Sequence, residues 1–139
     1  MKNLIVYFTM RPGKLFLIDS IGAGITALCL FALNTLVEPR AGLPTELMNS
    51  LIITALLFSC YSIICAGLVK NKPAFFMRII ALANTLYALF TAGLWIQYQN
   101  TLGLLSKFYF PFEIILIVGL VMIELKVASA LKRDNKGTG

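Results

Sequence analysis

The sequence contains no histidine and only three cysteines. The lack of histidine argues against His-ligated haem, most zinc sites and histidine acid–base catalysis. Cys29, Cys60 and Cys65 all lie inside apolar runs without a C-x-x-C motif, so we interpret them as small apolar residues. No nucleophile has a nearby base, and no metal-ligand spacing is present. We therefore expect no cofactor, no metal site and no enzymatic activity.

Charged residues are also scarce, at 13% of the 139 residues, against roughly 25% in a soluble domain. Hydrophobic residues make up 59% of the chain, more than a water-soluble chain of this length can bury. The lipid bilayer is therefore the expected solvent. The net charge of +6 comes from basic residues that border apolar runs, which favours anionic lipid head groups over nucleic acid as the partner.

Four long apolar runs predict an all-α protein that crosses the membrane as an up-down-up-down four-helix bundle. A short segment, residues 1–14, is expected to lie at the cytoplasmic interface, and residues 128–139 form a polar tail. Glu38-Pro39-Arg40 ends the first run, which is too long for a cleaved signal peptide. Within the domain at 15–127, the predicted spans are 15–37, 47–69, 74–98 and 108–127.

The distribution of lysine and arginine predicts the orientation. With the N-terminus inside, the inner segments hold ten basic residues and the outer segments only Arg40 and Lys107. Such an excess is typical of the cytoplasmic side. We therefore expect a multi-pass protein of the cell inner membrane with both termini in the cytoplasm.

Three charged residues occur at similar depth near the inner ends of three spans: Asp19, Arg78 and Glu124. Charges inside a span are costly and suggest a function by default. We expect Arg78 to form an interhelical salt bridge with Asp19, Glu124 or both, although each could instead reach the head groups alone. Such a cluster would act either as a structural clamp, the favoured alternative, or as a gate or proton site.

Glu113 and Glu124 fall on one stripe of the fourth span, roughly 16 Å apart. One interpretation is a translocation path between two acidic sites. The favoured interpretation treats Glu113 as a carboxylate in the first helical turn, because Pro111-x-Glu113 repeats the pattern of Pro44-x-Glu46.

One face of the third span combines small and polar residues, which mark packing faces between membrane helices. Asn84 lies near mid-membrane and needs a partner, for which Tyr61, Cys65 and Thr26 have suitable depths. This set forms either a polar path or a packing face, and packing is favoured. Its candidate residues are Asn84, Thr85, Thr91, Glu113, Tyr61 and Thr26.

Several short motifs resemble a group of small, uncharacterised four-helix proteins of the bacterial inner membrane. They are Asp19, Glu38-Pro39, Asn84-Thr85-Leu86-Tyr87, Thr101-Leu102-Gly103, Tyr109, Glu113 and Glu124. The resemblance implies a four-helix membrane fold and carries no activity. Small multidrug transporters and four-helix quinone-reducing enzymes are disfavoured, since the first-helix glutamate motif of the former and the cysteine pair of the latter are missing.

Two functions remain open at this point. The first and favoured one is a non-enzymatic structural or interaction module that packs against itself or another membrane protein. The alternative is a small oligomeric carrier or channel for a solute or ion, proton-coupled through Asp19, Glu113 and Glu124. A water-filled cavity that reaches Asn84 would favour transport, and a filled interior would favour the module.

Overall fold

A computed structural model describes residues 1–37, 42–69 and 71–137, and the side chains of all these except 37 and 134–137. Within these ranges the chain is helical and contains no strand, which confirms the all-α prediction. The predicted stop at Glu38-Pro39-Arg40 lies outside the described residues. The helices are α1 (Lys2–Met10), α2 (Pro12–Ala32, continued by a π-helical turn at Leu33–Val37), α3 (Thr45–Leu68), α4 (Pro73–Tyr98) and α5 (Leu104–Gly137).

Helices α2 to α5 are long and apolar enough to span a membrane. The shortest apolar segment has 24 residues, or about 36 Å of helix, which exceeds the roughly 30 Å of a hydrocarbon core. Their outer faces carry large exposed apolar side chains, such as Leu28, Leu57, Leu89 and Ile115. Such exposed apolar faces suit an apolar solvent, and the structure therefore contains four helices that are long and apolar enough to cross a membrane.

Helix α5 is longer at both ends than the predicted span 108–127, because it begins at Leu104 and continues to Gly137. Val127 and Ala128 are completely buried and share an apolar cluster with Phe8 of α1. The short first helix therefore packs against the end of α5, through the region that the sequence suggested was a polar tail. Burial of apolar side chains on one face explains why the helix continues there.

Pro111 lies inside α5 and has no backbone N–H, so the Lys107 carbonyl one turn earlier lacks its usual helical donor. The indole Nε1 of Trp95 on α4 donates a hydrogen bond to that carbonyl at 3.2 Å. A side chain of the neighbouring helix thus satisfies the backbone group that the proline leaves free.

Helices α2 and α3 approach each other closely through small residues. Ser20 Oγ donates to the Ser59 carbonyl at 2.9 Å, and Ser59 Oγ donates to the Ser20 carbonyl at 2.8 Å. At Gly13, an added Cβ would lie 3.1 Å from the Ala66 carbonyl oxygen. Close backbone approach and paired hydroxyls are the usual means by which membrane helices associate without a hydrophobic driving force.

At the end of the bundle away from Gly13, the α2–α3 connection contacts the α4–α5 connection at Gly42. The φ of Gly42 is +83°, which lies in the left-handed region. An added Cβ would lie 2.2 Å from the Thr101 carbonyl oxygen. Thr101 Oγ1 also donates to the Gly42 carbonyl at 3.0 Å. Both the dihedral angle and the contact therefore require glycine at this position.

The bundle interior contains two apolar clusters at opposite ends. One includes Phe16, Met77 and Val127, and the other includes Leu30, Met48 and Phe110. Helix α2 packs mainly on α3, and α4 mainly on α5. Between these helix pairs, and between the two clusters, lie the buried polar side chains considered next.

Candidate functional site

Asp19 forms the centre of a buried polar group that joins three helices. Its side chain is 2% exposed. Asn84 Nδ2 on α4 donates to Oδ1 at 2.8 Å, and Ser62 Oγ on α3 donates to Oδ2. Asn84 thus finds its partner in Asp19, not in Tyr61, Cys65 or Thr26 as the sequence suggested.

Glu124 on α5 completes this polar group and brings a second carboxyl beside the first. It is 1% exposed, and its side chain interacts with both Asp19 and Asn84. Its Oε2 atom is buried without a hydrogen-bond partner among the described residues. Two of the three residues of the predicted charge cluster, Asp19 and Glu124, therefore lie together in the described chain.

The expected salt bridge of Arg78 does not form, which corrects the predicted charge cluster. Arg78 is exposed, whereas the buried positions of α4 follow a three-four spacing that passes through Met77, Ile80 and Asn84. Each residue turns a helix by about 100°, so Arg78 lies beside this buried stripe and not on it. Its long side chain is free to extend towards the head groups.

A cavity of about 260 Å³ lies between these buried polar side chains around Asp19 and the apolar cluster that includes Leu30, Met48 and Phe110. Its wall is mostly apolar, with Asp19 and Asn84 as one polar part and Glu113 as another. The lining residues come from α2, α3, α4 and α5: Asp19, Gly22, Ala23, Ile25, Thr26, Cys29, Ala55, Phe58, Asn84, Tyr87, Tyr109, Phe112, Glu113, Leu116, Ile117 and Leu120. The described lining contains no lysine or arginine.

Glu113 is a buried side chain of this cavity, at 4% exposure. Tyr87 donates its hydroxyl to Oε1 at 3.1 Å, while Oε2 has no partner within the described chain. The interpretation of Glu113 as a first-turn carboxylate is wrong, because α5 begins nine residues earlier at Leu104. Glu46, by contrast, does lie in the first turn of α3.

Aromatic rings form much of the cavity wall: Phe58, Tyr87, Tyr109 and Phe112. Phe58 and Tyr87 pack edge to face, with ring centroids 6.0 Å apart. Sequence reasoning named Tyr87 and Tyr109 only among the motifs of the resemblance and gave neither a role at the site, although Tyr87, three residues after Asn84, continues the buried stripe of α4. It missed Ser62, for which the apolar run of α3 carries no distinguishing signal.

The remaining polar candidates separate into two groups. Thr26 lines the cavity and interacts with Tyr109. Thr85, Thr91 and Tyr61 do not line it. Thr85 donates to the Ala81 carbonyl of its own helix at 2.7 Å, Thr91 is completely buried, and Tyr61 packs against the apolar cluster near α1.

The cavity opens between α2 and α5, towards the lipid-facing side. Ile25, Phe112 and Leu116 line it and are more than half exposed, at 55%, 61% and 58%. Gly22 also lines it, and an added Cβ there would meet no atom within 4 Å. On this side the cavity is therefore bordered by exposed side chains and by a glycine, not by buried backbone.

The chemical groups of the cavity are few, and none of them forms a metal cluster. Within the described ranges, no group of three or more histidine, cysteine, aspartate or glutamate side chains could hold a metal ion. The cavity offers two carboxyls, an amide and two phenols around apolar and aromatic surface. Comparison with known proteins finds no family model, curated protein or solved structure that matches the chain.

Proposed function

We propose that this protein is a small, non-enzymatic membrane carrier that binds an organic solute in the cavity between α2 and α5. The observation that supports this most directly is a cavity of about 260 Å³ that is lined by Asn84 and by Glu113, whose buried Oε2 has no hydrogen-bond partner among the described residues. An interaction module would need a filled interior for its packing. The open volume beside buried carboxyls favours the carrier over that alternative.

Proton coupling follows from the cost of buried charge. An isolated carboxylate in an apolar interior is strongly unfavourable, so the group must hold either a proton or a cation. Glu113 lies at the cavity, and Asp19 with Glu124 forms a carboxyl pair at its edge. In this proposal, solute binding and proton binding at Asp19, Glu113 and Glu124 are linked.

We further propose that the chain lies in a bacterial inner membrane as an up-down-up-down bundle with both termini cytoplasmic. Short connections between spans support the alternating direction, as does the pairing of residue 13 with 66 and of 24 with 59 across α2 and α3. The excess of ten inner over two outer basic residues supports the orientation. Four helices enclose only a local cavity, so passage across the bilayer requires a homo-oligomer.

The test is uptake into proteoliposomes that contain the purified protein. Three radiolabelled probes of similar size are compared: benzyltrimethylammonium, benzamide and benzenesulfonate, each with and without an imposed pH gradient. We expect at least one probe to enter faster than into protein-free liposomes. The carrier is rejected if none does.

A matched pair of leucine substitutions separates the cavity from general effects on the helices. Gly22→Leu places a side chain in the cavity, where an added Cβ meets no atom within 4 Å. Gly119→Leu adds the same side chain at an exposed site on α5 that does not line the cavity. We expect Gly22→Leu to abolish uptake and Gly119→Leu to preserve it; equal loss in both variants contradicts the proposal.

A further inference from the structure

We propose that the cavity selects organic cations, which are small molecules with a positively charged nitrogen and an apolar or aromatic body. The inference rests on the proposed function and adds to it the chemical class of the solute. It follows from the charge, the wall and the opening of the cavity taken together.

The charge of the lining is of one sign. Asp19 and Glu113 contribute carboxyls, and no lysine or arginine occurs in the described lining. Asp19 already accepts hydrogen bonds from Ser62 and Asn84, whereas Glu113 Oε2 is buried with no partner in the described chain. A cationic N–H donor is the ligand group that satisfies this oxygen and neutralises its charge, once the Glu113 side chain rotates to turn Oε2 into the cavity.

The wall favours the same class of molecule. Phe58, Tyr87, Tyr109 and Phe112 present aromatic rings to the cavity, and aromatic rings attract organic cations through their negative faces. The combination of a carboxyl with several rings binds both the charge and the apolar body of such a molecule. An anion would meet buried carboxyls without any compensating basic group.

The volume and the opening exclude the simplest cations. The cavity of about 260 Å³ is larger than the roughly 150 Å³ cavity that accommodates benzene in an engineered protein core. Its mouth is lined by the exposed apolar side chains of Ile25, Phe112 and Leu116. A hydrated metal ion would lose its water there without replacement, whereas an amphipathic amine enters with its apolar body in lipid.

Cys29 lines the cavity and provides a native reporter for the test. Cys60→Ser and Cys65→Ala leave Cys29 as the single thiol in the otherwise complete chain. Its modification rate is measured in nanodiscs of neutral phospholipid with three methanethiosulfonates: methyl (neutral), 2-aminoethyl (cationic) and 2-sulfonatoethyl (anionic). A second protein that keeps only the exposed Cys60 measures the concentration of each reagent in the bilayer.

After normalisation to the Cys60 protein, we expect the cationic reagent to modify Cys29 about tenfold faster than the anionic one. Glu113→Gln should reduce this ratio at least threefold while the neutral reagent still reacts. Asp19→Asn, measured in the same way, gives an independent reading if the Glu113 variant does not fold. Gly22→Leu should slow all three reagents, and Gly119→Leu should slow none.

The outcomes distinguish the two levels of the proposal. If the neutral reagent fails to modify Cys29, the cavity is closed to solutes, and both the proposed function and the cation preference are overturned. If the neutral reagent reacts but the cationic and anionic rates are equal, or the anionic rate is higher, only the cation preference is overturned. A cationic excess that persists unchanged in both carboxyl variants also overturns it.

Discussion

Asn84 donates a hydrogen bond to Asp19 across 2.8 Å, and this bond links the α2–α3 pair to the α4–α5 pair. Both side chains are buried, at 6% and 2% exposure. Because both side chains are almost fully buried, each depends on the other for part of its hydrogen bonding. The bond therefore fixes the separation of the two helix pairs beside the cavity.

The hydrogen bond between Asn84 and Asp19 should contribute to the free energy of unfolding only when both side chains are present. We expect Asn84→Ala and Asp19→Ala to be non-additive, with a coupling of about 1 kcal/mol, typical of hydrogen bonds between membrane helices. The measurement is a double-mutant cycle on unfolding in detergent. Thr85→Ala with Asp19→Ala is the control cycle, because the Thr85 hydroxyl bonds its own helix; equal coupling in both cycles would exclude a direct bond.

Arg78 should be energetically independent of the buried carboxyls. It is exposed and forms no salt bridge in the described part of the chain, so we expect Arg78→Gln and Asp19→Asn to add within about 0.5 kcal/mol. The same unfolding assay measures this cycle. A coupling of more than about 1 kcal/mol would instead restore the salt bridge that the sequence suggested.

The contribution of Trp95 to the free energy of unfolding should depend on Pro111. Trp95→Phe removes the donor to the Lys107 carbonyl and should cost about 0.5 kcal/mol, the low end for a hydrogen bond, because this bond is exposed. Pro111→Ala restores a backbone N–H to α5. In that background we expect Trp95→Phe to cost less, as measured by thermal unfolding in detergent. An equal cost in both backgrounds would show that Trp95 acts through packing alone.

Tyr7, in the short helix outside the spans, should titrate below an ordinary tyrosine. Lys14 donates to its hydroxyl at 2.6 Å, and this hydrogen bond holds the Tyr7 pKa below its usual range. The folded state therefore favours the phenolate. Its contribution to stability is present above the usual tyrosine pKa and is lost as pH falls through the lowered value.

The measurement is the ultraviolet absorbance of the phenolate, taken as the difference between the wild type and Tyr7→Phe across alkaline pH. Lys14→Met removes the donor and should move the titration of Tyr7 back towards higher pH. Lys2→Met is the matched control, since it removes a positive charge from the same helix that does not contribute to the lowered pKa of Tyr7. A titration that stays in place in Lys14→Met would contradict the assignment.

Much of the architecture could be predicted from the sequence because span formation depends on local composition. About twenty consecutive apolar residues suffice to identify a membrane helix, whatever surrounds it. The four spans and the all-helical fold follow from such runs. The similar height of Asp19 and Glu124 along the bundle could also be predicted, since helical rise converts residue number into position along the axis.

The rotation of each helix about its axis, and its position along the axis relative to its neighbours, could not be predicted in this way. A rotation of about 100° per residue separates a buried position from an exposed one, and this difference removed Arg78 from the predicted cluster. The start of α5 at Leu104 placed Glu113 inside the helix and the bundle, where a Pro-x-Glu motif had suggested a helix terminus. Sequence patterns mark polar residues without stating which helix will face them.

The amino-acid sequence by itself determined that this chain forms four helices that are long and apolar enough to cross a bilayer and that carry a few costly polar groups. Tertiary structure alone decided that Asp19 meets Asn84, Ser62 and Glu124, that Tyr87 meets Glu113, and that a cavity remains between them. Hydropathy is a sum over residues that are neighbours in the sequence, so it does not depend on the tertiary structure. A cavity exists only where side chains from different helices fail to fill the space between them, so it depends on the packed bundle.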